Sequence, residues 1–198
     1  MHLEEALSSK MDIKAFIFDM DGLLFDSERI VQRSWEMAGD ELGIPHMGDV
    51  IYHTLGMNRT GRNEYFRKYI REDFPFEEFG RLTRDNFWRN VDKEGLPLKK
   101  GVKELLAYGK AQGYKMAVAT SSSREYAMGN LIRAGIDPYF DSVICGDMVK
   151  KAKPDPEIYQ KASESLGIPP EYCMAFEDAP GGILSAHQAG MKVIMVPD

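Results

Sequence analysis

The sequence predicts an α/β chain: a three-layer, doubly wound parallel sheet with an all-helical segment inserted after its first strand. Three observations predict it. Five short apolar runs show no alternation with polar residues, as expected of strands buried on both faces. Helix-period stretches separate the later runs, the pattern of βαβ units with right-handed crossovers. The first two runs lie roughly a hundred residues apart, where a crossover needs only about a dozen.

The elements follow in order. Ala15–Phe18 is the first strand. The long interval after it carries Trp35, Leu42, Tyr65, Phe66, Tyr69 and Ile70 at helical spacing. It is broken at Gly43-Ile44-Pro45, Phe74-Pro75 and Gly95-Leu96-Pro97. This predicts a helical domain over 26–97, with 1–25 and 98–198 forming the α/β core. Inserted after strand one, it is expected over the carboxyl ends of the strands, where open α/β sheets bind ligands, as a lid. Gly101–Gln112 reads as a helix through Val102, Leu105 and Leu106, stopped by Gly113. Met116–Ala119 is the second strand, and Arg124–Ala134 a helix ended by Gly135. Val143–Cys145 is the third strand. Asp155–Leu166 is a helix with Pro156 in its first turn and Gly167 at its end. Cys173–Phe176, a helix over Ile183–Ala189 closed by Gly190, and Val193–Val196 complete the pattern.

Composition excludes several classes. The 198 residues are 43% hydrophobic and 28% charged, a globular balance. No apolar run approaches the ~20 residues that span a bilayer, so no membrane contact is expected. The start, Met1-His2-Leu3-Glu4-Glu5, is acidic and lacks an apolar core, unlike a signal peptide. Cys145 and Cys173 lie far apart inside apolar runs and read as reduced thiols of a cytoplasmic protein. The net charge of −6 argues against nucleic-acid binding. A monomer is expected, and no repeat or low-complexity tract occurs.

The chemistry follows the strands. Strand one ends in Asp19-Met20-Asp21-Gly22, strand two in Thr120-Ser121-Ser122-Ser123, and strand four in Glu177-Asp178. The loop after strand three holds Lys151 and Lys153. Each feature alone has an ordinary structural use: a turn, a helix cap, a solvated lysine, an acidic first turn. Together, each after its own buried strand, they predict four carboxylates, a hydroxyl and an ammonium converging at one sheet edge. Such carboxylates need a cation, since two like charges 4 Å apart repel by ~4 kcal/mol at an effective dielectric of 20. Oxygen ligands without His or Cys select a hard ion, here Mg²⁺. Mg²⁺ keeps positions open for water and phosphate, so a small phosphorylated metabolite is the expected partner. Asp19 and Asp21, two apart, point the same way in an extended chain; one can attack while the other handles protons. Gly22 allows a sharp turn. Thr120 and neighbouring N–H groups can bind phosphate oxygens, and Lys153 can neutralise both nucleophile and phosphoryl group.

In these motifs the chain resembles the haloacid dehalogenase superfamily of phosphohydrolases. The residues are Asp19-Met20-Asp21-Gly22-Leu23-Leu24-Phe25-Asp26, Thr120, Lys153-Pro154-Asp155-Pro156 and Phe176-Glu177-Asp178-Ala179-Pro180-Gly181-Gly182. The resemblance implies a Rossmann-like core with a type-one helical cap. It implies a phosphatase, with a phosphoaspartyl intermediate on Asp19. Asp21 would be the acid and then the base, and Thr120, Ser121 and Lys153 would bind phosphate. Mg²⁺ would be held by Asp19, the Asp21 carbonyl and Asp178, with Glu177 assisting. Within the superfamily the chain is similar to the branch of β-phosphoglucomutases, 2-deoxyglucose-6-phosphatases and pseudouridine-5′-phosphatases. The implied substrate is a sugar phosphate or nucleoside monophosphate, and the alternative activity is a phosphosugar mutase. The mutases have a histidine five residues after the last Asp of the first motif, where this chain has Val31, and Lys-Gly in the cap where it has Leu55-Gly56. Both point to hydrolysis. Arg59 matches the mutases' phosphate-binding arginine, and Arg59, Arg62, Arg67, Lys68 and Arg71 against Glu64 make 56–71 basic. Response-regulator receivers combine similar residues, but they lack the insertion and their phosphorylated Asp follows a later strand. Relatives usually continue through another helix after the fifth strand, where this sequence reads Met195-Val196-Pro197-Asp198.

Overall fold

The structure, a computed structural model, describes residues 12–54 and 59–197. Two compact units form: one is Ser27–Leu96, the other the chain on either side of it. The acidic N-terminus and the Leu55-Gly56 pair lie outside the described residues.

The flanking unit is built on five strands: β1 (Ala15–Phe18), β2 (Lys115–Ala119), β3 (Ser142–Ile144), β4 (Cys173–Glu177) and β5 (Lys192–Met195). They lie in the order β3-β2-β1-β4-β5, and every pairing is parallel. β1 is central because both its faces are apolar. Ala15 and Ile17 face one layer and Phe16 and Phe18 the other, all buried. The first layer joins Ala117, Ala119 and Ala175 to Ile158, Tyr159, Ala162 and Ala186 of the covering helices. The small strand residues let those helices sit close. The opposite layer is aromatic: Phe16 stacks on Tyr114 at 4.2 Å and Phe18 on Phe176 at 4.9 Å. Gly109 is needed in that layer, since a Cβ there would lie 2.8 Å from Met116 Sδ.

After the inserted unit, four helices belong to this core. Those of the inserted unit are α1 (Ser27–Glu41), α2 (Met47–Thr54), α3 (Arg59–Tyr69) and α4 (Phe76–Glu94). The core helices are α5 (Val102–Ala111), α6 (Arg124–Ala134), α7 (Glu157–Leu166) and α8 (Pro180–Gln188). α6 has the expected bounds. Ser123 caps it through Tyr126 N–H, and Gly135 closes it at φ 67°. α8 begins before the expected Ile183, because Pro180 suits a first turn. β4 extends beyond Phe176 to include Glu177, which pairs in register with Met195. Both cysteines are buried and free. β5 is the exposed edge, with Met195 55% exposed.

The inserted unit buries its own core of Trp35, Ile44, Met47, Phe66, Phe74, Phe79 and Leu82. Trp35 meets Phe66 and Phe79 edge-on at 5.6 and 5.5 Å. Among the described residues no helix is long and apolar enough to cross a membrane.

Candidate active site

The strand order turns the chain in opposite directions on the two sides of β1, and the chemistry gathers at its carboxyl end. Asp19 follows β1 directly, its N–H donating to Phe176 O at 3.0 Å. Its carboxylate meets Lys153, which reaches in after β3. Lys153 Nζ donates to Asp19 Oδ1 at 2.5 Å, to Glu177 Oε1 at 2.6 Å and to Ala119 O at 3.0 Å. Those acceptors use all three ammonium protons. Tyr159, from α7, donates its hydroxyl to Glu177 Oε1 at 2.5 Å. The Lys153 and Asp19 side chains are 10% and 11% exposed and that of Glu177 1%.

Burial dominates the electrostatics. It pushes the Asp19 carboxyl up to about 7, against the opposing pull of Lys153. Burial also disfavours the Lys153 charge, but Asp19 and Glu177 outweigh it and hold the ammonium above its usual range. Both partners shift upward: burial raises Asp19 despite Lys153, and the ammonium gains from facing two carboxylates. Asp178 is also raised, by burial and then by Glu177.

Asp19, Glu177 and Asp178 bring carboxylate oxygens within 4.8 Å of one another. One ammonium against three carboxylates leaves the ionised group short of two positive charges, the charge of a divalent cation. All donors are hard oxygens. With Asp19 Oδ1 and Glu177 Oε1 taken by Lys153, Asp178 and the other Asp19 oxygen are the best placed to hold such an ion. The backbone is shaped around these acids. A Cβ on Gly22, at φ 83°, would lie 2.0 Å from Asp178 Oδ2. A Cβ on Gly182 would lie 1.9 Å from Glu177 Oε1. These residues fit a hard divalent cation.

Asp21 is held differently. A tight turn follows Met20, whose carbonyl accepts from the N–H groups of Leu23, Leu24 and Phe25. The Asp21 carboxylate accepts from Ser122 Oγ at 2.7 Å and from Tyr126 OH at 3.0 Å. Thr120 is buried, and its Oγ1 accepts from Ser122 N–H at 3.1 Å, leaving its own proton to donate. Gly146 packs against the Ser121 backbone, where a Cβ would lie 2.2 Å from Ser121 O.

The pattern of the haloacid dehalogenase-like hydrolase family matches residues 16–196. The chain belongs to that family. It is 34% identical over 190 residues to YhcW of Bacillus subtilis, covering 94% of this chain and 84% of that protein. It is 32% identical over 182 residues to the phosphorylated carbohydrates phosphatase of Thermotoga maritima, covering 92% and 84%. Among solved structures it is similar to CbbY from Rhodobacter sphaeroides in complex with phosphate. That likeness has a TM-score of 0.67 and 28% identity, over 94% of this chain and 87% of that one. The expectation of a hydrolase with a Rossmann-like core therefore holds.

As a member of this family the chain brings together Asp19, Lys153, Glu177 and Asp178 as the sequence led one to expect. Of the four carboxylates expected at this edge, three bring oxygens within 4.8 Å of one another, and the Asp21 carboxylate instead meets Ser122 and Tyr126. β1 ends at Phe18 and the chain turns after Met20, so extended-strand spacing no longer governs the pair. Arg59 opens α3, and its side chain lies outside the described residues. Other basic residues of that stretch already have partners within their unit. Arg62 and Arg67 lie over the Trp35 and Phe76 rings, and Arg71 pairs with Asp73 at 2.9 Å. Sequence reasoning missed Tyr159, Tyr126 and the Ser122 side chain. Tyr159 reads as core in its amphipathic helix. Tyr126 lies one helical turn past the Ser123 cap, the single local sign that it can face the strand ends.

Proposed function

We propose that the chain is a Mg²⁺-dependent phosphatase of small phosphomonoesters, of the sugar phosphate or nucleoside monophosphate class, acting through an aspartyl phosphate on Asp19. The observation that carries this is the buried Lys153 bridging Asp19 and Glu177, with Asp178 alongside. An Asp19 carboxylate oxygen attacks phosphorus as the ester P–O bond breaks, and the Asp21 carboxyl gives its proton to the departing alkoxide. Asp21 then takes a proton from the water that attacks phosphorus, freeing Asp19 and inorganic phosphate. Lys153 neutralises charge on the phosphoryl oxygens, and Thr120 and the Ser121 backbone donate to them. Asp19, Asp178 and the Asp21 carbonyl, with Glu177 behind them, would hold Mg²⁺, which supplies positive charge at those oxygens. The sugar phosphate class is supported by the Thermotoga relative's name. Hydrolysis over mutase activity is supported by Val31, which packs against the apolar core of the helical unit where a mutase carries histidine.

The test is phosphate release from a panel of hexose, deoxyhexose, pentose and nucleoside monophosphates, with Mg²⁺ or with chelator. β-Glucose 1-phosphate with a bisphosphate primer is assayed for isomerisation. Release that needs Mg²⁺ and vanishes in Asp19→Asn is expected. Isomerisation without release would establish the mutase instead, and turnover by Asp19→Asn near the wild-type rate would remove Asp19 as nucleophile.

A further inference from the structure

We infer that Tyr126, together with Ser122, is a positioning residue that fixes the Asp21 carboxylate for proton exchange with the ester oxygen. The inference rests on the phosphatase reading above and assigns a role to a side chain outside the four motifs. Asp21 stands outside the group of acids around Lys153, whose ammonium pairs with Asp19 and Glu177. A carboxylate on its own turns broadly about its last torsion. Here both oxygens are held: Ser122 Oγ donates to Oδ2 at 2.7 Å, and Tyr126 OH donates to Oδ1 at 3.0 Å. Two donors on two oxygens define the plane of the carboxylate, which neither would define alone.

The donors are themselves anchored. Ser122 N–H donates to Thr120 Oγ1 at 3.1 Å, and Ser122 O accepts from Gly146 N–H at 2.8 Å. Tyr126 sits in the first turn of α6, where its N–H donates to the capping Ser123 Oγ. A phenol keeps its proton at neutral pH, so Tyr126 is the donor and the carboxylate the acceptor. The same short segment therefore carries Thr120, a phosphate donor, and the two hydroxyls that aim Asp21. Phosphate binding and proton transfer share one rigid piece of backbone. In the step concerned, the Asp19 oxygen–phosphorus bond forms and the ester oxygen–phosphorus bond breaks. The ester oxygen keeps the bonding pair and takes the Asp21 proton.

The test compares two esters in the wild type, Tyr126→Phe and Ser122→Ala. One is p-nitrophenyl phosphate, whose phenolate departs without a proton; the other is the alkyl monoester cleaved fastest in the panel. kcat/KM reports the steps through formation of the aspartyl phosphate. Tyr126→Phe should lower it about 10- to 100-fold for the alkyl ester, part of the ~10²–10⁴ that acid–base groups supply. For p-nitrophenyl phosphate the loss should be small. Ser122→Ala should show the same selectivity, and it carries the test if Tyr126→Phe does not fold. Equal loss on both esters, or loss on neither, overturns the role. A wild type that cleaves neither ester removes the phosphatase reading and this role with it.

Discussion

Two adjacent glycines make opposite predictions on replacement by alanine. Gly181 and Gly182 both lie in the first turn of α8. A Cβ at Gly181 meets open space, so Gly181→Ala should stabilise by about 0.5–1 kcal/mol, the ordinary gain of helix propensity. A Cβ at Gly182 would lie 1.9 Å from Glu177 Oε1, 2.0 Å from Cδ and 2.2 Å from Oε2. Ordinary contact begins at 3.4 Å, so the carboxylate must retreat by 1.5 Å. A free glutamate would do so easily. Glu177 is 1% exposed and bonded to Lys153 at 2.6 Å and to Tyr159 at 2.5 Å. Hydrogen bonds to a charged group are worth ~1.5–3 kcal/mol each. Losing much of two of them, less the helix gain, predicts a net destabilisation of about 2–4 kcal/mol. With a urea slope of about 2 kcal/mol/M, that lowers the midpoint by roughly 1–2 M. Urea unfolding followed by circular dichroism measures both variants, and phosphate release measures the chemistry. Activity should fall about 10²-fold in Gly182→Ala, because Lys153 loses the acid that fixes it, and remain near wild type in Gly181→Ala. A Gly182→Ala protein as stable as Gly181→Ala, with activity intact, would refute the locked-carboxylate reasoning.

Other perturbations test the same cluster. Lys153→Met leaves Asp19 and Glu177 buried without their cation. Unfolding in chelator should show a loss of about 3–5 kcal/mol, partly restored by Mg²⁺, and an unchanged midpoint would contradict the pairing. The raised Asp19 carboxyl makes a pH prediction of unusual sign. Its folded value, about 7, exceeds its unfolded value of 3.8, so between them the folded chain binds the extra proton. In chelator, wild-type stability relative to Asp19→Asn should therefore fall as pH rises from about 4 to 7, by at most ~1.4 kcal/mol per unit. Parallel pH curves for the two proteins would show that Asp19 is not perturbed. Protons and metal compete for the same oxygens, so the apparent Mg²⁺ affinity should weaken below about pH 7, which activity titrations at several pH values would detect. Val31→His alone should yield no detectable isomerisation of β-glucose 1-phosphate, because other residues of the helical unit also differ from a mutase. Appreciable isomerisation by that single variant would contradict this.

The unbroken apolar run Ala15–Phe18, the glycine stops after the helices and the long interval before Met116 made the parallel sheet and its insertion readable without coordinates. Each is a local signal: a continuous apolar run, a cap, a connection too long for one crossover. Asp19, Lys153, Glu177 and Asp178 were readable for a related reason. Residues just after buried strands of a parallel sheet share one edge, so order along the chain implies nearness in space. Within that edge the sequence did not reveal which acids meet. It placed Asp21 with the others by strand periodicity, but the turn after Met20 carries it to Ser122 and Tyr126. Tyr159 carries no local mark of its role, because burial and a single hydroxyl contact cannot be separated by pattern alone. Strand order and motif residues, set by short-range regularities, are thus determined by the sequence itself. Which oxygen each proton faces depends on ångström-scale approach between segments distant in the chain, as where Gly182 admits the Glu177 carboxylate, and only the tertiary structure decides that.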